Sequence, residues 1–377
     1  MAEIKKRGSK WQYRVFYTDP DTGKQKSKSK SGFEKKSDAI AAARELEVDK
    51  EHGATISERD MTFADYYAQW IKDTKLGRYS YQTETWYKRV LKLVQEGFPG
   101  VPLAQINRRK YTKFLDDYAA DHSKESVDKT NTFIRAMVRD AMSERIIFTD
   151  FTAGVRNNGN PGKREADKYL NENQLKKLTD VVEKHLSPTA ITTYEILTAI
   201  YTGARYEEIA AITWDRIDWD HKQITLDRAY DYVQRSGFKS MKTPNSIRTI
   251  DVSPRLIRAL SQLHTQQQKR YMQLGYRDKD GLLFRGQQLV VPSDGGANKK
   301  LKELEEQAGI PPNQRVTFHG LRHSHASYLL AHGVQISYIS KRLGHANIAL
   351  TLRVYSHLLE ETYKEEAAKS SDILSQL

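Results

Sequence analysis

The stretch LGHANIALTLRVYSHL, running from Leu343 to Leu358, sets Tyr355 ten residues after His345. Working back toward the N-terminus, Thr317-Phe-His319-Gly-Leu-Arg322-His323 adds two more histidines and an arginine at helical spacing. A phenol attacks a phosphate only where neighbouring groups take its proton and neutralise the charge that builds on the phosphoryl oxygens. Arginine and histidine from adjoining turns are the residue types that this task requires. The surrounding 100 or so residues therefore decide whether Tyr355 is a reactive group or an ordinary packing residue.

Two further boxes precede these. Tyr201-Thr-Gly-Ala-Arg205-Tyr-Glu-Glu208 puts a glycine before an arginine and a glutamate three residues after it. Phe238-Lys239-Ser-Met-Lys242-Thr-Pro-Asn-Ser-Ile-Arg248 reads as a lysine carried near a turn. Taken singly each is weak: a Thr-Gly-x-Arg turn serves as a helix C-cap, and a Lys-Thr at a turn is commonplace. The Arg205 box, the Lys242 box, the His319/Arg322 box, the His345 box and Tyr355, five in this order within one block, resemble the catalytic end of the tyrosine recombinases, the phage-integrase family. The resemblance is specific over residues 170–360 and rests on architecture and charge before that.

The resemblance implies a role for each matching position. Arg205 and Arg322 would clamp the scissile phosphate, a task suited to the planar, always-charged guanidinium fork. Lys242 would protonate the leaving 5′-oxygen, with Lys239 as its rival. His319 would be the acid–base partner of Tyr355, His345 a hydrogen-bond donor to the phosphate, and Tyr355 the nucleophile, with Tyr328 and Tyr338 as rivals. Glu208 receives a supporting role beside Arg205. No cofactor, nucleotide or metal is implied. His319 and His323 have the i, i+4 spacing of a zinc-binding helix, but Gly320 stands where a metalloprotease has its glutamate, and Arg322 places a fixed positive charge between them. His323 and His325 accordingly read as packing or outer hydrogen-bonding residues.

Composition agrees with a polyanionic partner. The 377 residues carry a formal net charge of +13, a positive field that favours nucleic acid and also serves solubility. Without cysteine there are no disulfides and no thiolate chemistry. Met1-Ala-Glu-Ile-Lys-Lys-Arg7 leads into no apolar run, and no uninterrupted apolar segment is long enough to span a bilayer. The expectation is a cytoplasmic, nucleoid-associated protein of a bacterial host.

Along the chain the pattern predicts a multidomain protein, mainly α with small β elements. Residues 1–58 read as a small sheet-plus-helix module. Lys10–Tyr17 alternates with the strand period, Thr18-Asp-Pro-Asp-Thr-Gly23 turns, and Lys24–Lys30 pairs back. Phe33–His52 is helical, with Ala39, Ala42, Ala43 and Leu46 on one side. Trp11, Tyr13, Phe16 and Tyr17 are expected to supply its core, and its basic strands to enter a DNA groove. Residues 61–156 form a helical bundle on the stripes Phe63/Tyr66/Tyr67/Trp70/Ile71, Trp86/Tyr87/Val90/Leu91/Val94, Tyr111/Phe114/Leu115/Tyr118 and Phe133/Ile134/Met137/Val138/Ala141. Lys88, Arg89, Lys92, Arg108, Arg109 and Lys110 are left for its outer faces. Residues 157–168 have linker composition. Residues 169–377 form a mixed α+β block opened by the Asn171/Gln174 capping box, with strands at Gln223–Asp227, Phe238–Lys242 and Ile247–Val252, the last two flanking a turn at Thr243–Ser246. An acidic tail, Glu360–Leu377, carries Leu374 and Leu377.

By the same resemblance, the first block binds arm-type DNA sites and the next two close around core-type sites. Four protomers assemble on two duplexes, with an excision directionality factor and a host DNA-bending protein as further partners and no membrane. Two other readings remain open on the residues alone: a DNA-relaxing or dimer-resolving enzyme of similar chemistry, and a DNA-binding regulator that keeps the fold without cleaving.

Overall fold

The structure is a computed structural model that describes residues 2–18, 23–51, 61–162, 165–241, 243–349, 351–352, 355 and 374–375, without the side chains of residues 49, 165 and 166. It divides into two compact units, residues 1–162 and 163–377.

In the first unit, three antiparallel strands, β1 (Glu3–Arg7), β2 (Lys10–Thr18) and β3 (Gln25–Phe33), form a sheet in chain order. Helix α1 (Lys36–Glu51) covers one face, where Tyr13 and Val15 pack against Ala43 and Leu46. Strand pairing sets Arg14 opposite Glu3 and Ser29, and Gln12 opposite Lys5 and Ser31, on the other face. Phe16 belongs to that open face and is 41% exposed, so it is not part of the core expected of it. Period-two alternation places it one residue out of step with Tyr13 and Val15. Strand β1 was not anticipated, because Glu-Ile-Lys-Lys-Arg has a single apolar residue. The four turn residues 19–22 lie outside the described residues, as does His52.

Four helices follow: α2 (Phe63–Thr74), α3 (Tyr81–Gly97), α4 (Arg108–Ala119) and α5 (Lys124–Ser143). Each begins at a side-chain cap, on Thr62, Ser80, Asn107 and Ser123 respectively, which satisfies amide groups that have no partner within the helix. Their apolar stripes form one core from Phe63 to Phe151. Trp86 departs from its expected core place: it is half-buried, with Arg89 5.0 Å and Lys129 4.2 Å from its ring, a cation–π arrangement at the bundle surface. Lys88, Arg89, Lys92 and Arg108–Lys110 are exposed. The stretch after α5 is tied to it, since Asn157 accepts from Asn131 and donates to Asp128, both at 2.7 Å.

The second unit is built around α7 (Ile191–Thr202), which follows α6 (Glu172–Lys184) and is buried on nearly every face. The Asn171/Gln174 capping box is present. After the short α8 (Tyr206–Ala210) come β4 (Ile217–Asp218), β5 (Gln223–Leu226), β6 (Ala229–Asp231), β7 (Gly237–Lys239) and β8 (Arg248–Asp251). These form two sheets, β4-β5-β8 and β6-β7. The strands either side of Thr243–Ser246 therefore do not pair with each other. Strand β8 pairs with β5, joining Ile250 to Ile224 in the core, while β7 folds back on β6. Helices α9 (Pro254–Leu274), α10 (Asp294–Gln307), α11 (Phe318–Ala331) and α12 (Ile336–Leu343) complete the unit. No helix among the described residues is long and apolar enough to cross a membrane.

Candidate active site

Two helix ends and one helix face carry the site. Helix α7 stops at Gly203, whose φ of +65° is the left-handed conformation that glycine adopts without strain. A side chain there would also collide, because an added Cβ would lie 2.7 Å from the His325 ring and 2.8 Å from Leu343. Helix α12 stops in the same way at Gly344, where a Cβ would lie 2.9 Å from Nη1 of Arg248. Both stops leave carbonyls that the helix cannot satisfy. Arg322, buried on α11, donates to them, through Nη1 to Gly203 O at 2.9 Å and through Nη2 to Leu343 O at 2.7 Å. One guanidinium thus ties the arginine turn after α7 to the histidine turn after α12. Burial, then the charge of Arg205, pulls its pKa down to about 9, which leaves it cationic at neutral pH.

Arg205 follows Gly203 and keeps its side chain 39% exposed. Its backbone N–H and its Nη1 both donate to Glu208, at 3.0 and 2.7 Å. Glu208 is buried and also accepts from Nη2 of Arg248 at 2.8 Å. Burial acts to raise the Glu208 pKa, but Arg248 and Arg205 outweigh it and the net shift is downward. Arg248 also donates to Arg342 O at 2.6 Å and Ser246 O at 2.8 Å. The Arg205 turn, the turn beyond β7 and the end of α12 are bonded through this one side chain.

His345 places Nδ1 2.7 Å from the hydroxyl of Thr351. With that hydroxyl donating, the far nitrogen Nε2 carries the proton. Burial, then Arg322, Arg205 and His323, push its pKa down to about 4. His319 is likewise pushed down to about 4, by burial and then by His323, Arg322 and Arg205. His319 itself is exposed to solvent, with Arg322 and Arg205 as the cationic groups acting on it. Both imidazoles are neutral at pH 7.

Tyr355 is 2% exposed and packs on Ala326, Ile339 and Leu343. Its hydroxyl lies 3.0 Å from Nδ1 of His323. His323 stands edge-on to His319, with ring centroids 5.1 Å apart. His323, expected to be a packing or outer hydrogen-bonding residue, thus bonds the hydroxyl of Tyr355 directly. The i, i+4 spacing of His319 and His323 is the sequence signal that puts both on one face of α11. His325 does hold an outer position: Nδ1 donates to Ile200 O at 2.9 Å and Nε2 accepts from Arg342 at 3.0 Å. Of the lysine candidates, Lys239 lies on β7, 3.7 Å from Glu207, and Lys242 falls outside the described residues.

The chain matches the phage integrase family over residues 168–362 and an arm DNA-binding domain over residues 3–50. It is 26% identical to the ICEBs1 integrase of Bacillus subtilis, over 75% of either chain. It is 25% identical to a XerC-like tyrosine recombinase of Caldanaerobacter subterraneus, over 67% of this chain and 66% of that one. Among solved structures, the Tn1549 transposon integrase in complex with transposon right end DNA matches with a TM-score of 0.67 at 16% identity, covering 82% of this chain and 99% of that one. A lambda integrase tetramer bound to a Holliday junction matches with a TM-score of 0.60 at 16% identity, covering 91% and 95%; at such identities the likeness is one of fold. With the family matched over more than half of its length, the chain belongs to the phage integrase family and is a site-specific tyrosine recombinase.

Proposed function

We propose that this recombinase integrates and excises a mobile element or phage genome, with Tyr355 as its nucleophile. The observation that carries the reading is the Tyr355 hydroxyl bonded to His323 of helix α11, next in sequence to Arg322, whose guanidinium ties together the turns bearing Arg205 and His345. Attack leaves a 3′-phosphotyrosine and a free 5′-hydroxyl; that hydroxyl then attacks the partner strand's adduct, giving a Holliday junction and later its resolution. Arg205 and Arg322 clamp the scissile phosphate, His345 donates to it through Nε2, and Lys242 protonates the leaving 5′-oxygen, while His319, expected as the acid–base partner of Tyr355, stands edge-on to His323. The phosphotyrosine conserves the energy of the broken bond, so resealing calls for no nucleotide or metal.

Double-stranded DNA is the substrate, at core-type and arm-type sites. Core sites fall to the helical bundle of residues 61–156 and the catalytic block of residues 169–377, joined through residues 157–168. Arm sites fall to residues 1–58, supported by the open sheet face with Lys5, Arg7, Gln12 and Arg14. In likeness to the lambda integrase tetramer, four copies act together on two duplexes. An excision directionality factor and a host DNA-bending protein are the further partners, and the bacterial nucleoid is the place of action. The test uses DNA flanking the protein's own gene, placed as paired sites on a plasmid and incubated with the full chain in EDTA without nucleotide. Recombinant circles support the reading, and their absence unless metal or ATP is added overturns it.

A further inference from the structure

The hydrogen bond at the Tyr355 hydroxyl names a group that the resemblance did not. We propose that His323 is a catalytic residue, the base that takes the Tyr355 proton during strand cleavage and returns it during rejoining. This rests on Tyr355 being the nucleophile. Three observations support it. Nδ1 of His323 lies 3.0 Å from the phenol oxygen, within the reach a general base requires. The ring is fixed one residue beyond Arg322, whose two carbonyl bonds lock that turn of α11. The phenol ring is itself held by Ala326, Ile339 and Leu343, so the two groups meet in a set geometry rather than by chance at a surface.

With the hydroxyl donating, Nδ1 is the acceptor and the imidazole proton sits on Nε2. As the Tyr355 oxygen bonds to phosphorus, its O–H bond breaks and the proton passes to Nδ1, making an imidazolium. The bond from phosphorus to the 5′-oxygen breaks, and that oxygen takes a proton from the acid of the site, Lys242 in our reading. In rejoining, the incoming 5′-hydroxyl gives its proton to the lysine, and the departing phenolate recovers its own from His323. Among the described residues, His319 beside it, His345, Arg322 and Tyr355 are titratable or charged groups near His323. A new imidazolium among them is offset by the phosphate that enters with DNA.

The test compares His323→Asn and His323→Gln with the unmodified full chain on a nicked duplex at saturating DNA. Asparagine keeps an acceptor near the place of Nδ1 but does not take up a proton. The expected result is cleavage slower by roughly 10²–10⁴-fold with DNA affinity unchanged, and a rate that now climbs with pH as the phenol ionises unaided. A substrate with sulfur at the bridging 5′ position, whose leaving group needs no acid, restores cleavage to Lys242→Ala but not to His323→Asn. Near-normal rates in both His323 variants, or restoration of their activity by the sulfur substrate, overturn the proposal. Tyr355→Phe run alongside separates the two failures: if it still cleaves, the nucleophile is wrong, and if it is inert while His323→Asn is active, only the base is wrong.

Discussion

Replacing Glu208 by glutamine tests the charge framework beneath the site. Glu208 is a buried carboxylate with Nη1 of Arg205 at 2.7 Å and Nη2 of Arg248 at 2.8 Å. Each pair is worth about 4 kcal/mol of attraction at ~4 Å between charges and an effective dielectric of ~20. Desolvation of the carboxylate and of Arg248 offsets much of that. What remains on removing one partner is an uncompensated buried charge, which costs about 3–5 kcal/mol. Glutamine keeps the shape and one acceptor, so Glu208→Gln is expected at the low end, about 3 kcal/mol, or roughly 6–12 °C in the melting of the catalytic unit. Arg205, freed from its orienting carboxylate, presents its guanidinium poorly, and a displacement of that kind costs about a hundred-fold in rate. Thermal unfolding of the full chain and single-turnover cleavage at saturating DNA are the two assays. A double-mutant cycle with Arg248→Met should return a coupling of about 1–3 kcal/mol. If Glu208→Gln melts and cleaves like the parent, the carboxylate does not organise the arginines and the reasoning fails.

Arg322→Lys should lose cleavage by about 10²–10³-fold and also lower the melting temperature, since one ammonium does not replace the two bonds to Gly203 and Leu343; Arg205→Lys, at a half-exposed side chain, should lose cleavage with little change in melting. Stability without DNA should fall as pH drops from 6.5 toward 4. His325, His319 and His345 are held at about 3, 4 and 4, so the unfolded chain binds more protons in that window; melting that is flat or rises toward pH 5 contradicts this. Deleting residues 1–58 should spare cleavage of a short core-site duplex and weaken binding to long attachment-site DNA. Loss of Lys5, Arg7 and Arg14 from the open sheet face should reduce the slope of log affinity against log salt by about 3, near 0.9 for each phosphate contact. Loss of core-site cleavage in a folded truncation would instead make that block part of the catalytic clamp.

Sequence patterns were informative wherever a local rule set the outcome. The capping box at Asn171, the bundle stripes and the glycine stop before Arg205 all follow from residues within a few positions of one another. Helix α9, absent from the expected elements, is also locally encoded: Ser253-Pro254 opens it in the ordinary way, and Leu256, Ala259, Leu260 and Leu263 mark its buried side. The pairing of β7 with β6 has no local signal. Phe238–Lys242 and Ile247–Val252 flank a turn and are each compatible with a hairpin. What separates them is the burial of Ile250 beside Ile224 and the existence of the three-residue β6, neither of which is a local property. The contact of His323 with Tyr355 is likewise not a local property, because the tyrosine lies 32 residues further along the chain. The tail after Tyr355, apart from Leu374 and Ser375, lies outside the described residues.

Trapping the covalent intermediate decides whether Tyr355 is the nucleophile. A duplex carrying the core site and a nick just beyond the scissile phosphate releases a short fragment on cleavage and so prevents resealing. The full chain incubated with it should form an SDS-resistant adduct, and digestion followed by mass spectrometry should locate the nucleotide on the peptide containing Tyr355. The same reaction with Tyr355→Phe should yield no adduct while DNA binding persists. An adduct mapped to Tyr328, Tyr338 or any other residue, or undiminished adduct formation by Tyr355→Phe, would contradict the account.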